Sequence, residues 1–409
     1  MTGAGEEQAA AVALANYGAR LAEQGDPAEA ETALRRAGRL LPGHPLIAYN
    51  LGRALARQDR VEEAAECFRS AVILAPDLAP AWNNLGNCCK ELMRLDESLV
   101  CHGRALALAP DDAPVRFNRA LTLLLAGRAA EGWSEYEWRH PALGQAPAPE
   151  PVWDGTPGPL LVEAEGGLGD AIHFLRYASE AARRGAKVIL LVPPALMRLA
   201  AVLPGVTVAD RSGPRPAAAR HAWLMSLPRL LGLGLEPPGG GAPYLVPPAD
   251  AVEQWRRRLG EGRKVALCWA GNPRFDNDAR RSLPFALLAP LLELDGMSFH
   301  SVQVGPRAGD GAGCPGLNDL SPHLTDLAET AAALAAMDLV ISVDTAVAHL
   351  AGAIGVPCWL LLPFSPDWRW GAAGERTPLY DSLLLFRQDR RGDWAGVMDR
   401  VKAALETGP

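Results

Sequence analysis

Small and large apolar residues recur at a fixed interval through the first third of the chain, and the pattern changes character near residue 160. Gly18, Gly52, Gly86 and Ala120 lie 34 residues apart. So do Ala30, Ala64, Ser98 and Gly132, and a larger side chain follows in register at Leu34, Phe68, His102 and Tyr136. Ala37, Ala71 and Ala105 form a further column, and Pro42, Pro76 and Pro110 close it. Such a period predicts one helical hairpin per unit, stacked so that neighbours bury a continuous seam. The small residue lets the first helix approach the second, and the larger one fills the seam. Proline has no N–H to donate and stops the second helix. Four units fit, at 11–44, 45–78, 79–112 and 113–146. The fourth lacks the closing proline and ends in Trp133, Tyr136 and Trp138, an aromatic run suited to capping the array.

These five agreeing columns resemble the tetratricopeptide repeat, and the unit containing Trp82, Leu85 and Gly86 is nearest that family's consensus. One more column bears on function. Asn16, Asn50, Asn84 and Asn118 hold the sixth position of the four units, on the groove side of each first helix. An amide offers donors and an acceptor, so a row of them can clamp an extended peptide backbone without reading its sequence. Asn is also common at this position in such repeats, which leaves a purely structural row open. A similar ladder holds acceptor peptides in the repeat part of O-linked N-acetylglucosamine transferase.

After a Pro/Gly-rich stretch over 141–159, apolar runs alternate with amphipathic ones. Strands are predicted at 160–165, 187–192, 206–210 and 222–227, then, past a second Pro/Gly-rich segment at 234–249, at 264–271, 298–305, 339–345, 357–363 and 383–388. Helical patterns fall between them, including 326–337 and 393–405. Alternating apolar strands and helices imply parallel sheets covered on both faces. The predicted organisation is a repeat array (11–146), a linker (147–159), a first Rossmann-like half (160–249) and a second (250–409), with ligand in the cleft at the strand ends.

Composition narrows the function. A formal charge of −7 argues against a nucleic-acid binder relying on a positive field. The most apolar region, 339–364, is broken by Asp344, His349, Gly and Pro, so no membrane span is predicted. The N-terminus has no apolar signal-peptide core, and the seven cysteines form no CxxC or zinc spacing. The expectation is a cytoplasmic protein with reduced thiols and no metal.

Three segments can carry chemistry. Gly166-Gly167-Leu168-Gly169-Asp170 is a strand-to-helix turn but not a dinucleotide fingerprint, and Asp170 there would repel a pyrophosphate. The carboxylate is either a helix cap or a general base facing the cleft. Asp344-Thr345-Ala346-Val347-Ala348-His349 ends a strand and opens a helix of small residues. The N–H groups there favour a phosphate, with Thr345 adding a hydroxyl and His349 one turn in. The alternative is a capped core helix with a satisfied histidine. The polar loop from Asn272 to Ser282 offers Arg280 and Arg281 for a diphosphate, or is simply solvated. Its Asp276-Asn277-Asp278 has the form of a metal-binding DxD, which does not suit a two-halved layout. Gln303 ends a strand on the cleft side, and Trp368 and Trp370, flanking Arg369, either wall a pocket or pack as a lid.

The segments 165–178 and 339–353, in this order and spacing, resemble glycosyltransferase family nine, the heptosyltransferase-like enzymes, over about residues 158–405. The resemblance implies an α-solenoid followed by an α/β GT-B fold, inversion at the sugar, no cofactor or catalytic metal, and a nucleotide-sugar co-substrate. It implies Asp170 as catalytic base and Asp344, Thr345 and His349 at the donor diphosphate. Heptosyltransferases carry a Lys near those phosphates, which the four lysines here do not supply, so Arg280 or Arg281 would substitute. Repeats fused to such a region resemble protein O-glycosyltransferases, including bacterial enzymes that modify flagellin. The expectation is transfer to Ser or Thr of an acceptor protein held by the repeats. Its rivals are a non-catalytic adaptor with a degenerate GT-B region, a heptosyltransferase with a glycan or lipid acceptor, and a sugar-nucleotide epimerase.

Overall fold

The computed structural model describes residues 3–275 and 277–407. The chain divides into two compact units, Met1–Ala146 and Pro147–Pro409.

The first unit is a run of four helical hairpins. They are α1 (Gly3–Gln24) with α2 (Pro27–Leu40), α3 (Pro45–Arg57) with α4 (Val61–Leu74), α5 (Ala79–Glu91) with α6 (Leu95–Leu108), and α7 (Ala113–Leu125) with α8 (Ala129–Tyr136). Two of the helices, α2 and α7, start on a side-chain cap. The Asp26 and Asp112 carboxylates accept the N–H of Glu29 and Val115, both at 3.0 Å. α1 begins earlier than the repeat register requires, at Gly3 rather than residue 11, because the preceding Glu and Ala are good helix formers.

The predicted seam is present. A Cβ on Gly18 would lie 2.6 Å from Leu34 Cγ, and one on Gly52 2.8 Å from the Phe68 ring; Gly86 is overlain as closely by His102. The turn inside each hairpin carries a column that composition hides. Gly25, Asp59, Met93 and Gly127, spaced by 34 residues, all have positive φ (94°, 59°, 57° and 79°). Two of the four are not glycine and hold a left-handed backbone at a steric cost of about 1 kcal/mol.

The second unit contains two wholly parallel sheets. β1 (Gly158–Glu163), β2 (Ala186–Val192), β3 (Val206–Asp210) and β4 (Arg220–Trp223) form the first, in the order β3-β2-β1-β4. The long helix α9 (Leu168–Arg183) crosses from β1 to β2. α10 (Ala249–Leu259) leads to the second sheet. Its strands are β5 (Arg263–Cys268), β6 (Met297–Ser301), β7 (Leu317–Asp319), β8 (Leu339–Val343), β9 (Cys358–Leu362) and β10 (Leu383–Arg387). The order is β10-β9-β8-β5-β6-β7. α11 (Leu327–Leu334) precedes β8, α12 (Ala346–Ile354) follows it, and α13 (Trp394–Thr407) closes the chain. Val265, Leu267, Phe299, Ile341 and Val343 pack against Trp394, Val397 and Val401 of α13 to form the core of the second half.

The predicted α-solenoid followed by two parallel α/β halves is therefore the observed architecture, with four local differences. The strand expected over 222–227 stops at Trp223 and turns helical, because Pro228 opens a helical turn at Leu227–Leu230. The three-residue β7 was invisible as an apolar run. The stretch expected as linker is docked: Trp153 is buried, its indole N–H reaches Thr156 O at 2.9 Å, and Val152 bridges to His221 on the edge strand β4. Part of the second Pro/Gly segment already belongs to the second half. The amides of Tyr244 and Leu245 both donate to Ala353 O at the end of α12, at 2.9 and 3.0 Å.

Two outcomes test the repeat packing. His102 is buried with neither ring nitrogen paired, and burial, followed by the charges of Arg119 and Lys90, lowers its pKa to about 4. An unfolded imidazole takes a proton near pH 6.5, so stability is full above that pH and falls as pH drops toward 4, by up to about 3 kcal/mol. His102→Phe, matching Phe68 one unit earlier, should remove that loss when melting temperature is followed against pH. Met93→Gly should raise the unfolding free energy read from urea denaturation by about 1 kcal/mol or less, by relieving the left-handed backbone.

Candidate functional site

The site forms where α9 of the first half packs on α12 of the second. β1 ends at Glu163, and the chain turns through Gly166 with φ +71°, where a Cβ would sit 2.6 Å from an Asp170 carboxylate oxygen. Only glycine fits that turn. Gly167 is the cap of α9, and Asp170, three residues on, accepts the Gly167 N–H at 2.8 Å. Asp170 is thus not the cap residue itself; it reaches back to the cap from the first turn. Its side chain is 31% exposed.

Gly169 faces the other half. A Cβ there would lie 3.5 Å from both N and Cα of Ala346 and 3.0 Å from the His349 ring. The N-termini of α9 and α12 therefore meet at van der Waals distance. α12 begins at the end of the wholly buried β8. Thr345 precedes its first turn, but the hydroxyl turns back to the strand ends, 3.0 Å from Ser342 Oγ and 3.6 Å from Cys268 Sγ. Thr345 O takes the amides of Ala348 and His349. Among the described residues no acceptor faces the amides of Ala346 and Val347. That leaves two donors at the positive end of a helix dipole.

Arg369 spans the two halves. It lies in the helical turn Trp368–Trp370, and its Nη2 meets Asp170 Oδ1 at 2.7 Å while Nη1 meets Asp367 Oδ1 at 2.9 Å. The guanidinium stacks over Trp368, 4.4 Å from the ring centre. Trp368 and Trp370 are themselves buried, so they are packing between the helices and not the wall of an open pocket.

Burial and neighbouring charge set the protonation states. Asp344 is pushed up to about 6, first by burial and then by the negative charge of Asp367, against the pull of Arg281 and Arg369. Burial raises Asp367 too, but Arg369 more than offsets it and the carboxyl lies below its ordinary value. His349 is lowered to about 3 by burial, then by Arg369. It stacks on Trp370 with ring centres 4.8 Å apart, and its Nδ1 is 3.0 Å from the Tyr380 hydroxyl. It lies behind the start of α12 as a neutral core group. His173 of α9, stacked on it at 5.7 Å, is likewise buried and held neutral.

The remaining expected site residues divide. Arg281 pairs with Asp278 at 3.1 Å, lies close against Gly271, and its charge acts on Asp344. Arg280 is half-buried on the same helical turn. Asn272 turns its amide oxygen into its own loop, to the Arg274 N–H at 3.1 Å. Gln303 is buried and spends its amide on backbone. Its oxygen accepts the amides of Trp269 and Ala270 at 3.0 and 2.9 Å, and its nitrogen donates to Ala270 O and Val304 O. It shapes the end of β5 instead of facing a ligand. Asp276 of the DxD pattern lies outside the described residues, and Asp278 is buried against Arg281 and Ser282. In the repeats, α1, α3, α5 and α7 pack in succession, and each carries one of the four asparagines, Asn16, Asn50, Asn84 and Asn118. Asn50 accepts from Arg53 at 3.5 Å and Asn118 donates to Asn83 at 3.2 Å, while Asn16 is exposed. Sequence reasoning missed Asp367 and the reach of Arg369; the signal was a charge pair set among aromatics in Pro366-Asp367-Trp368-Arg369-Trp370.

Residues 18–79 and 79–112 match the tetratricopeptide repeat families, and residues 317–377 match glycosyltransferase family 9 (heptosyltransferase). The latter segment includes α12 and Arg369, and Asp170 lies outside it. The chain thus joins tetratricopeptide repeats to a segment that matches glycosyltransferase family 9. Protein FlbA of Caulobacter vibrioides is 30% identical over 333 residues, covering 71% of this chain and 54% of FlbA. The chain spans about half the length of that curated relative. Among solved structures, a mutant O-GlcNAc transferase of Thermobaculum terrenum aligns over 98% of this chain and 91% of its own, at 18% identity and a TM-score of 0.39. MamA of Desulfovibrio magneticus RS-1 aligns over 32% of this chain and 74% of its own, at 22% identity and a TM-score of 0.30. No helix among the described residues is long and apolar enough to cross a membrane.

The raised Asp344 carries a checkable consequence. Its charged form is the one the fold disfavours, so stability is fully present below about pH 3.8 and is lost as pH rises through about 6. Asp344→Asn should therefore stabilise the protein near pH 8 by about 3 kcal/mol and change little near pH 4, read from melting curves.

Proposed function

We propose that the chain is an inverting GT-B glycosyltransferase that moves a sugar from a nucleotide-sugar donor to a Ser or Thr hydroxyl of a protein recruited by the repeats. The observation that carries this reading is the close approach of Gly169, the neighbour of Asp170, to the start of α12, where the amides of Ala346 and Val347 form no hydrogen bond among the described residues. A base and an anion-binding helix end are the two requirements of displacement at a sugar carbon that departs from a phosphate.

In this reading Asp170 takes the proton of the acceptor hydroxyl, whose oxygen attacks the anomeric carbon from the face opposite the leaving phosphate, inverting the centre. The amides of Ala346 and Val347, the α12 dipole and the guanidinium of Arg281, with Arg280 beside it, stabilise the charge that develops on the leaving group. These are the protein's own positive charges, so the mechanism calls on no metal and no cofactor. An asparagine row binds the acceptor backbone. The donor is either ADP-heptose, in keeping with the family-nine match, or a CMP-linked acidic sugar, in keeping with a flagellin acceptor held by the repeats. A cytoplasmic site of action fits a nucleotide-sugar donor. A second reading, a non-catalytic adaptor, draws on one observation: both oxygens of Asp170 are already engaged, by the Gly167 amide and Arg369.

The test is thermal stabilisation by ADP, UDP, GDP and CMP and their sugar forms, on wild type, Thr345→Trp and Asp170→Asn. A nucleotide at 100 times its dissociation constant adds about 2.7 kcal/mol. One nucleotide class should stabilise wild type and Asp170→Asn but not Thr345→Trp. Transfer should fall by about 100- to 10,000-fold in Asp170→Asn. No response to any nucleotide would favour the adaptor, and full transfer by Asp170→Asn would remove the base assignment.

A further inference from the structure

A carboxylate that is to take a proton from a hydroxyl is already held at 2.7 Å by a guanidinium of the opposite half. The surroundings of that guanidinium explain why. Asp367 Oδ1 accepts both the backbone N–H of Arg369 at 3.0 Å and its Nη1 at 2.9 Å, so one carboxylate fixes main chain and side chain together. The guanidinium lies over Trp368 and 5.6 Å from the ring of Phe174 on α9, and Nη2 passes Met225 Sδ at 3.8 Å. Arg369 is 9% exposed. It is thus gripped on several sides, and Nη2 is presented to Asp170.

We propose that Arg369 is a positioning residue for the transfer, holding the Asp170 carboxylate in a single orientation from the opposite half so that the base is set only while the two halves are together. The inference rests on Asp170 being the base. Asp170 is held from two directions: Oδ2 by the Gly167 amide of its own turn, Oδ1 by Arg369. Each carboxylate oxygen carries two acceptor sites, so both contacts leave room for an incoming hydroxyl proton on the exposed side. A guanidinium stays charged throughout and cannot itself give up the proton Asp170 must take. Its fork matters. Nη1 anchors on Asp367 while Nη2 reaches Asp170, a span that the single ammonium of lysine reproduces only in part. Removing the cation would also take from Asp170 and Asp367 their shared partner, with Asp367 already beside the carboxyl of Asp344.

The experiment compares wild type, Arg369→Gln, Arg369→Lys, Asp170→Asn and the double variant Arg369→Gln with Asp170→Asn, all as full chains. The first readout is amide hydrogen exchange across 166–171. Arg369→Gln and Asp170→Asn should each speed exchange there by about tenfold, with no further gain in the double variant, because one interaction has been removed twice. The second readout is turnover of the nucleotide sugar that wild type transfers or hydrolyses. Arg369→Gln should lower kcat by at least about tenfold with donor KM within about threefold, and Arg369→Lys should recover part of it. Additive exchange effects, or equal losses in both Arg369 variants together with loosened exchange throughout the second half, would overturn the positioning role while leaving the base assignment intact. Full turnover by Asp170→Asn would overturn the base assignment itself. If Arg369→Gln does not fold, wild-type exchange and kcat in Arg369→Lys would overturn the proposal, and an intermediate loss confined to 166–171 and kcat would support it.

Discussion

Two helix N-termini converge at Gly169, and they can do so only because that residue has no side chain: a Cβ would sit 3.0 Å from the His349 ring and 3.5 Å from the start of α12. Each terminus carries about half a positive charge from its unpaired amides. Bringing two together is repulsive unless anions gather around them. Asp170 lies at the start of α9, and Asp367 stands beside Arg369, which ties Asp170 to Asp367. The protonation pattern follows from this crowding. Asp344 is the carboxyl that burial and Asp367 push upward, while Asp367 keeps its charge because Arg369 is paired to it. The two stacked histidines beneath stay neutral, first because they are buried and then because Arg369 and Arg176 disfavour a further positive charge beside them.

The frame around this junction keeps it in register. Arg176 of α9 donates to Gly240 O and Leu379 O, both at 3.1 Å, and lies over the rings of Tyr244 and Tyr380. The Tyr244 hydroxyl donates to Ile172 O at 2.6 Å, and the backbone of Tyr244 is bonded to the end of α12. The connection between the halves is thus stitched to both helices whose starts form the site. The parallel order of the sheets does the rest, since β1 and β8 deliver their carboxyl ends, and so the helices that follow, to the same place.

Much of this was legible in the sequence where it is written in columns or in small residues. The repeat showed through five spaced positions, and the glycine turn and the small-residue helix marked the two starts. Position alone could not say that Gly169 exists for helix contact, that Gln303 is consumed by backbone, or that His349 is a core group. Those depend on which strand end lies beside which, a matter of sheet order. Arg369 was legible only as a charge among tryptophans. Its partner is 199 residues away in the chain, and no local pattern encodes such a pairing. The left-handed turn column escaped for the opposite reason: Asp59 and Met93 adopt the conformation against their own preference, under the constraint of helices packed on either side.

The most direct measurement is amide hydrogen exchange on the full chain with and without saturating nucleoside phosphates, tried as ADP, UDP, GDP and CMP. One of them should slow exchange at the start of α12, from Ala346 to Ala348, and at the facing turn from Gly167 to Asp170. Protection of other segments alone, with both helix starts unchanged under every nucleotide, would contradict it.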